Sequence, residues 1–500
     1  MRCFVALLWC SALGHGVARG LLGSSRAAPR RGPHARARAF GSAAAPAPAS
    51  GASASALQLW NVTLTEQWYT GVALLPGLQT FVASLGNWYQ QPPCPFFVTQ
   101  GSLSAPAPPA LVASAVPGSI IAAGGVTPLA PFAAMSFTDE AAFFGLYGAS
   151  ADAFPAWSES APGVSGNWWE VGAPMATSAD GSVLAYARTA LARYDPLAAK
   201  AVEVAVVNVS AFPPRVLLAD AFPNGTGLQA LHLSDDGSTL VVVAAQDPAG
   251  SINSSEVRVY DVGPAAAAGG GGGGGVRADF VTGYALASCM APDGRTLVLA
   301  TCDSENAVEV WALGAAGATQ LVNSTYPPLP GTFTYIAVCA VTPARGLWVA
   351  APLWWGGAIN QTAVAYYELP AASAPGFLAP QSLWLSPPIA DSLQDDVVAG
   401  AYAAGVFAIT SWGGAALNAS APGAASPPTL RLFSDAAPAA PILTLATPSA
   451  GDATVSGSLG AVDMAFVNAT TLLVLAEGLN GHANDGSSGG LLYLWQVDIV

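Results

Sequence analysis

A chain of 500 residues with 52% hydrophobic and 9% charged side chains is too long for a peptide or mini-protein and can hold several domains or one large closed β architecture. Its 54 glycines and 40 prolines stay below the level at which a chain stops looking globular, which argues against disorder throughout. The formal charge of −14 becomes about −21 once the acid-free, Arg-rich first 40 residues are set aside, and this argues against nucleic acid or an anionic membrane surface as partner, since both need a basic footprint.

Residues 1–20 combine a basic start, the apolar run CFVALLWCSALG and small residues near Ala18, which is the pattern of a signal peptide. The run is too short to span a bilayer, and no later stretch is long and charge-free enough to do so. Residues 21–56 form a low-complexity leader or linker rich in Arg, Ala, Pro and Ser, with Arg30-Arg31 and the segment ARARAF ending at Phe40. Three readings of it stand side by side: a propeptide, a linker, or a plastid transit segment behind a signal peptide. Sequons favour the secretory route. Composition alone would give about two Asn-x-Ser/Thr triplets, whereas eight occur, at Asn61, Asn208, Asn224, Asn253, Asn323, Asn360, Asn418 and Asn468. The expected product is secreted or lumenal and glycosylated, with plastid delivery through a bipartite leader as the alternative. With Cys3 and Cys10 in the signal peptide, Cys94, Cys289, Cys302 and Cys339 remain, which allows three pairings or plain core burial. No CxxC pair supports a structural zinc site.

From residue 57 onward a unit of roughly 40 to 65 residues recurs. SADGSVLAY at 178–186, SDDGSTLVVV at 234–243, APDGRTLVLA at 291–300 and TPARGLWVA at 342–350 each place a polar turn between apolar runs. Asp-Gly in that setting is a strong hairpin signal, because Gly supplies a positive φ. Weaker copies are LLPGLQTFVA at 74–83, FTDEAAFF at 137–144, YAAGVFAIT at 402–410 and VNATTLLVL at 467–475; PGSII at 117–121 competes with FTDEA for its hairpin. Most hairpins lead to a third strand with an aromatic residue at one fixed place: VRVYDV at 257–262, VEVWAL at 308–313, VAYYEL at 364–369, LRLFSD at 430–435 and LYLWQV at 492–497. Val207 takes that place in VAVVNV at 204–209, and fourth runs follow at VLLAD 216–220, SLWLS 382–386 and ILTLA 442–446. Four short antiparallel strands per repeated unit predict an all-β β-propeller over 57–500, of eight blades or seven, with a pair of β-sandwiches as the architectural alternative. The last unit ends at its third strand, so the spare strand LQLWNV at 57–62 is expected to complete it and close the ring.

The SPDG-like turns and aromatic third strands resemble the WD-repeat and YVTN (lactonase-like) β-propeller superfamily, well over 174–500 and loosely over 57–172. The Gly-His pair of true WD repeats is missing, and Trp stands at the aromatic place only at Trp311 and Trp495. The superfamily contains both enzymes and binding platforms, so the resemblance implies the fold and leaves the activity open.

Catalytic signals are sparse. Beyond Phe40 only His232 and His482 remain, His232 within a strand pattern that suits a core histidine, and no GxSxG elbow accompanies them. The glycine run 269–275 lacks a following Lys-Ser/Thr and reads as a flexible loop. In a propeller the loops between second and third strands gather on one face. Here they would carry Trp88, Tyr89, Trp354, Trp355, Trp412 and His482, a set suited to sugars or apolar peptide side chains, or else rings capping the ends of blades. Asn87, Asp303, Glu305, Asn484 and Asp485 could supply oxygen ligands to Ca²⁺, as the lactonase-like resemblance implies, or remain solvated loop residues. The expected function is a monomeric, non-catalytic scaffold that binds a protein or glycan and needs no cofactor. The alternative is a Ca²⁺-dependent lactonase- or esterase-like hydrolase at the central channel.

Overall fold

The computed structural model describes residues 35–37, 53–65, 68–75, 80–86, 97–102, 111–112, 121–124, 132–137, 141–147, 157–162, 175–192, 195–210 and 213–222. It further describes 225–246, 254–262, 275–302, 306–325, 333–334, 336–355, 358–370, 378–387, 397–411, 428–446, 458–479 and 489–499. Among these residues every regular element is a β-strand, and the strands form seven hydrogen-bonded sheets.

The first sheet runs Trp68–Leu75, Thr80–Gly86, Phe97–Ser102, Leu111–Val112, and the second Ile121–Gly124, Phe132–Phe137, Ala141–Tyr147, Trp157–Pro162. A third sheet follows with Met175–Thr177, Val183–Ala192, Asp195–Asn208 and Arg215–Phe222. The next sheet has seven strands, from Gly225–Leu233 to Gly317–Thr325. Its long strand Val276–Met290 works twice: the first half pairs with Ser254–Asp261, the second with Thr296–Cys302. Then come a sheet whose path is Phe333–Thr334, Gly346–Trp355, Ala358–Glu368, Ser382–Leu385, with Val338–Val341 also pairing with Gly346–Trp355, and one of Ala35–Ala37, Val397–Ala403, Val406–Ser411, Thr429–Ser434, Leu443–Ala446. The last sheet takes Ser458–Phe466, Thr471–Leu479 and Gly489–Ile499 from the C-terminus and Ala54–Thr65 from the N-terminus. The expected N-terminal strand therefore does join the C-terminal unit, and it begins at Ala54, three residues before the LQLWNV run.

Strands that follow one another in sequence within a unit pair as antiparallel hairpins, so the repeat follows directly from local turn chemistry. In the Ser-Asp-Asp-Gly turn at 234–237, Gly237 has φ +68° and its N–H donates to the Ser234 carbonyl; Gly294 repeats this at φ +67°. Glycine is needed there for a second reason. A Cβ on Gly294 would come within 2.8 Å of Ser234 Cβ and 2.9 Å of Thr239 Cβ, so only a bare backbone lets the turn of one unit seat against that of the unit before. In TPARG the left-handed place falls to Arg345 at φ 64°, whose guanidinium is anchored by donating to the Pro370 carbonyl.

One expectation needs correction. FTDEA does mark a hairpin, but it joins Phe132–Phe137 to Ala141–Tyr147, the second and third strands of their sheet; the first strand is Ile121–Gly124, beside the competing PGSII signal. Turn residues identify a hairpin without saying which pair of strands in the repeat it connects.

The core lies between consecutive sheets rather than in one centre. One apolar cluster joins Val298, Val308 and Val310 to Cys339, Val349 and Tyr367; another joins Val406 and Leu432 to Val474, Tyr493 and Trp495. Middle strands are thus covered on both faces, as in Val406–Ser411 and Thr429–Ser434, where every residue is buried. That is why they read as continuous apolar runs rather than a clean alternation. The aromatic place of the third strand is set into these seams: Tyr260, Tyr367, Phe433 and Trp495 are all buried in clusters that reach the preceding unit.

First strands pack against first strands in chain order, and Trp68–Leu75 packs against Ser458–Phe466 of the last sheet. There the Leu74 N–H donates to Asp463 Oδ2 at 2.8 Å, while Asp463 Oδ1 accepts from the Met464 N–H. No helix among the described residues is long and apolar enough to cross a membrane.

Candidate functional site

The loop face expected to carry ligands falls mostly outside the described residues, which do not include Trp88, Tyr89, Trp412, His482, Asn87, Asp303, Glu305, Asn484 or Asp485. Trp354 and Trp355 end the strand Gly346–Trp355, where their backbones pair with Ile359 and Ala358 immediately after the loop, so both sit at the second-to-third connection. Of the sequon asparagines, Asn61, Asn323 and Asn468 are exposed. Asn208 Oδ1 and Asn468 Oδ1 each accept from the backbone N–H and the hydroxyl of the Ser or Thr two residues on. Asn224, Asn253 and Asn418 lie outside the described residues, and Asn360 is on the strand Ala358–Glu368. Among the described residues no group of three or more His, Cys, Asp or Glu is placed to hold a metal ion.

What the structure does assemble is the frame behind that face. Its inner wall, built from the first strands, carries polar links that sequence alone does not reveal. Gln229 Nε2 donates to the Ala285 carbonyl at 2.6 Å, its Oε1 accepts from the Ser255 hydroxyl, and Ser255 Oγ in turn accepts the Ala285 N–H at 2.9 Å. Three residues on, His232 Nε2 lies 2.8 Å from Ser288 Oγ. Burial pushes His232 down to about 4, so it is a neutral, hydrogen-bonded histidine at physiological pH. Next to Ser288, Cys289 is disulfide-bonded to Cys339 on the neighbouring first strand, with Cα atoms 5.8 Å apart. This selects one pairing among those the four cysteines allowed.

The opposite ends of the sheets carry the tight turns, and these are hooked together by backbone bonds. The Ala179 N–H donates to the Asp235 carbonyl and the Asp235 N–H to the Pro292 carbonyl, both at 2.8 Å. Asp180 and Asp236 each cap their own turn, accepting from serine hydroxyls two residues to either side. Partial burial alone would raise both carboxylates, and these bonds outweigh it and hold them below the usual range. Asp235 has no such donors. Burial, then the charges of Asp236 and Asp293, push it up to about 6.

Because the folded-state value of Asp235 is raised, its contribution to stability is full below about 3.8 and is lost as pH rises to about 6. Asp235→Asn is therefore expected to stabilise the protein at pH 7 to 8 by about 1 kcal/mol, discounted for solvent screening of a partly exposed group. The gain should vanish near pH 4. Thermal melts of both proteins across this range check it, and a gain that persists at pH 4 would refute the charge-repulsion account.

Between units, charged groups act as rim clasps. Arg258 bridges Asp220 at 3.2 Å and Asp279 at 3.3 Å, pairs with Glu256 at 2.6 Å, and lies 4.1 Å above the Phe222 ring, while Tyr260 donates to Asp220 at 2.7 Å. This network joins the outer strand of the third sheet to the unit after it.

No family model and no curated protein sequence matches the chain. Among solved structures, Sqt1 of Saccharomyces cerevisiae superposes with a TM-score of 0.53 at 10% identity, over 87% of this chain and 98% of that one. The fold resembles that of WD-repeat β-propeller proteins. The propeller domain of the Trilobed protease from Pyrococcus furiosus is also similar, at 8% identity and a TM-score of 0.39, over 83% of this chain and 95% of that one. At these identities the likeness concerns the fold alone.

Proposed function

We propose that this chain is a secreted or lumenal, N-glycosylated propeller of eight four-stranded blades that acts as a non-catalytic binding scaffold, holding a protein or glycan on its loop face. The eight-blade reading is supported by dividing the seven-stranded sheet within Val276–Met290, and closure of the ring by the pairing of Ala54–Thr65 with Gly489–Ile499 and the Leu74–Asp463 bond. The Cys289–Cys339 bridge and the exposed Asn61, Asn323 and Asn468 support an oxidising, glycosylating compartment.

One observation carries the scaffold reading: the two ends of the sheets are built differently. Turns between first and second strands span two to seven residues, and those at 178–182, 234–238 and 291–295 are linked to one another by backbone hydrogen bonds. The second-to-third connections vary widely in length, from two residues between Trp355 and Ala358 to nine between Leu479 and Gly489 and 17 between Ser411 and Thr429. A rigid frame that puts its length variation at one end suits recognition of a partner. Trp88, Tyr89, Trp354, Trp355, Trp412 and His482 would supply the contact surface.

The test is a screen of glycans and peptides against the glycosylated protein, with Trp354→Ala and Trp412→Ala as loop-face controls, alongside melts in excess Ca²⁺ and in chelator. Saturable binding that both variants weaken tenfold or more, with a melt indifferent to Ca²⁺, is the expected result. A Ca²⁺-dependent rise of several degrees together with lactone or ester turnover would overturn it in favour of the hydrolase.

A further inference from the structure

The geometry points to a second binding surface, separate from the loop face: the free edge of the first strand Val397–Ala403, which accepts an extended peptide by parallel β-addition and is occupied in the unprocessed chain by the leader. One edge of Val397–Ala403 pairs antiparallel with Val406–Ser411. On the other edge lies the short strand Ala35–Ala37, in parallel register, with Ala35 opposite Gly400, Arg36 opposite Ala401 and Ala37 opposite Tyr402. The same three residues also come against the first strands Val338–Val341 and Val276–Met290. Residues 35–37 thus lie against the first strands of three consecutive units.

The sequences on both sides explain why this edge takes a guest. Val397–Ala403 reads VVAGAYA, with four of seven residues Ala or Gly, and small side chains let another backbone approach. Its guest reads ARA. Inner-strand edges present unpaired N–H and C=O groups, and a strand added there satisfies them through main-chain bonds, which ask only that the guest be extended and slender. Charge adds to the fit: residues 1–40 hold seven of the 16 basic side chains and no acid, while the rest of the chain is strongly acidic. The partner class for the vacated edge is therefore an extended, small-residue peptide with basic side chains, and the leader is its tethered competitor. This site does not depend on what the loop face binds.

The experiment uses the full chain and a variant in which Ala35→Pro, Arg36→Pro and Ala37→Pro remove all three leader N–H groups. The probe is a fluorescent synthetic peptide of residues 32–40. Amide exchange at Gly400–Tyr402 is expected to be at least tenfold faster in the variant, and the probe to bind the variant saturably while the parent binds it at least tenfold more weakly. Equal exchange in the two proteins would overturn leader occupancy. Faster exchange without probe binding would overturn the edge as a peptide site. The substitutions fall on the edge strand of one sheet, and matching melting curves confirm that any difference is local.

Discussion

Replacing both Cys289 and Cys339 by alanine is expected to cost about 3 kcal/mol of stability, among the largest single losses available in this fold. The bridge closes a chain segment of 50 residues, for which loop-closure entropy of the unfolded state gives about 4 kcal/mol as the ceiling. Its Cα separation of 5.8 Å falls where disulfides normally sit, and both cysteines are buried. The bond also joins the first strands of two successive units, whose shared seam is filled by Val298, Val310, Val341 and Val349. Either single substitution should cost as much as the pair, since each breaks the same link. Guanidinium titrations of the four proteins, with and without dithiothreitol, check this. Reductant should lower the midpoint of the wild type to that of the double variant and leave the double variant unmoved. A wild type indifferent to reductant during unfolding would show that the bridge does not form, and with it would go the main structural support for an oxidising compartment.

The architecture was legible because each unit carries its own local instructions. Asp-Gly turns, paired apolar runs and a third strand with a large apolar or aromatic residue at one place are all encoded within about 23 to 32 residues, and they reappear as the sheets containing Val183–Ala192, Thr239–Gln246 and Thr296–Cys302. The spare strand ahead of Trp68 was legible for a global reason, since a last unit missing its fourth strand must find one. What sequence could not supply is convergence. Nothing in the spacing of Gln229, Ser255 and Ala285, or of His232 and Ser288, says that they meet, because Ala285 and Ser288 belong to the unit after that of the other three and the alignment depends on how the units stack. The same holds for the cysteine pairing. The turn reading erred at FTDEA, where weak Gly-free turn chemistry and an Ala-rich neighbourhood left the strand order of that unit undetermined. Loop-face residues such as Trp88 and His482 were chosen on exposure and chemistry, and their geometry falls outside the described residues.

Asp435→Ala is expected to cost about 3 kcal/mol, because it strands two buried donors at the seam between the sheets of Gly346–Trp355 and Val397–Ala403. Asp435 follows the third strand Thr429–Ser434 and accepts from Trp348 Nε1 through Oδ1 and from the Tyr402 hydroxyl through Oδ2, each at 2.6 Å. The Tyr402 oxygen in turn accepts the Gly405 N–H at 3.1 Å, so a single carboxylate orients the turn at 403–406 as well as the indole. Trp348 is fully buried and stands at the centre of an aromatic group, 4.8 Å from Tyr366, 5.5 Å from Phe407 and 5.7 Å from Phe433. An indole without its acceptor cannot turn to water from there. Tyr402→Phe removes one donor and leaves the carboxylate its other bond, so it should cost only about 1 kcal/mol. The ordering of the two variants, read from denaturant midpoints at constant slope, separates the bridging account from simple packing, which would rank loss of the tyrosine hydroxyl and of the aspartate alike. Burial raises Asp435 despite the two donors, so its stabilising contribution is greatest below about 3.8 and shrinks as pH rises through the raised folded-state value. The gap between wild type and Asp435→Ala should therefore be widest in acid and narrow toward neutrality. A gap that widens with pH would mean that the ionised carboxylate is held more strongly than its surroundings allow, and would remove burial as the governing influence at this seam.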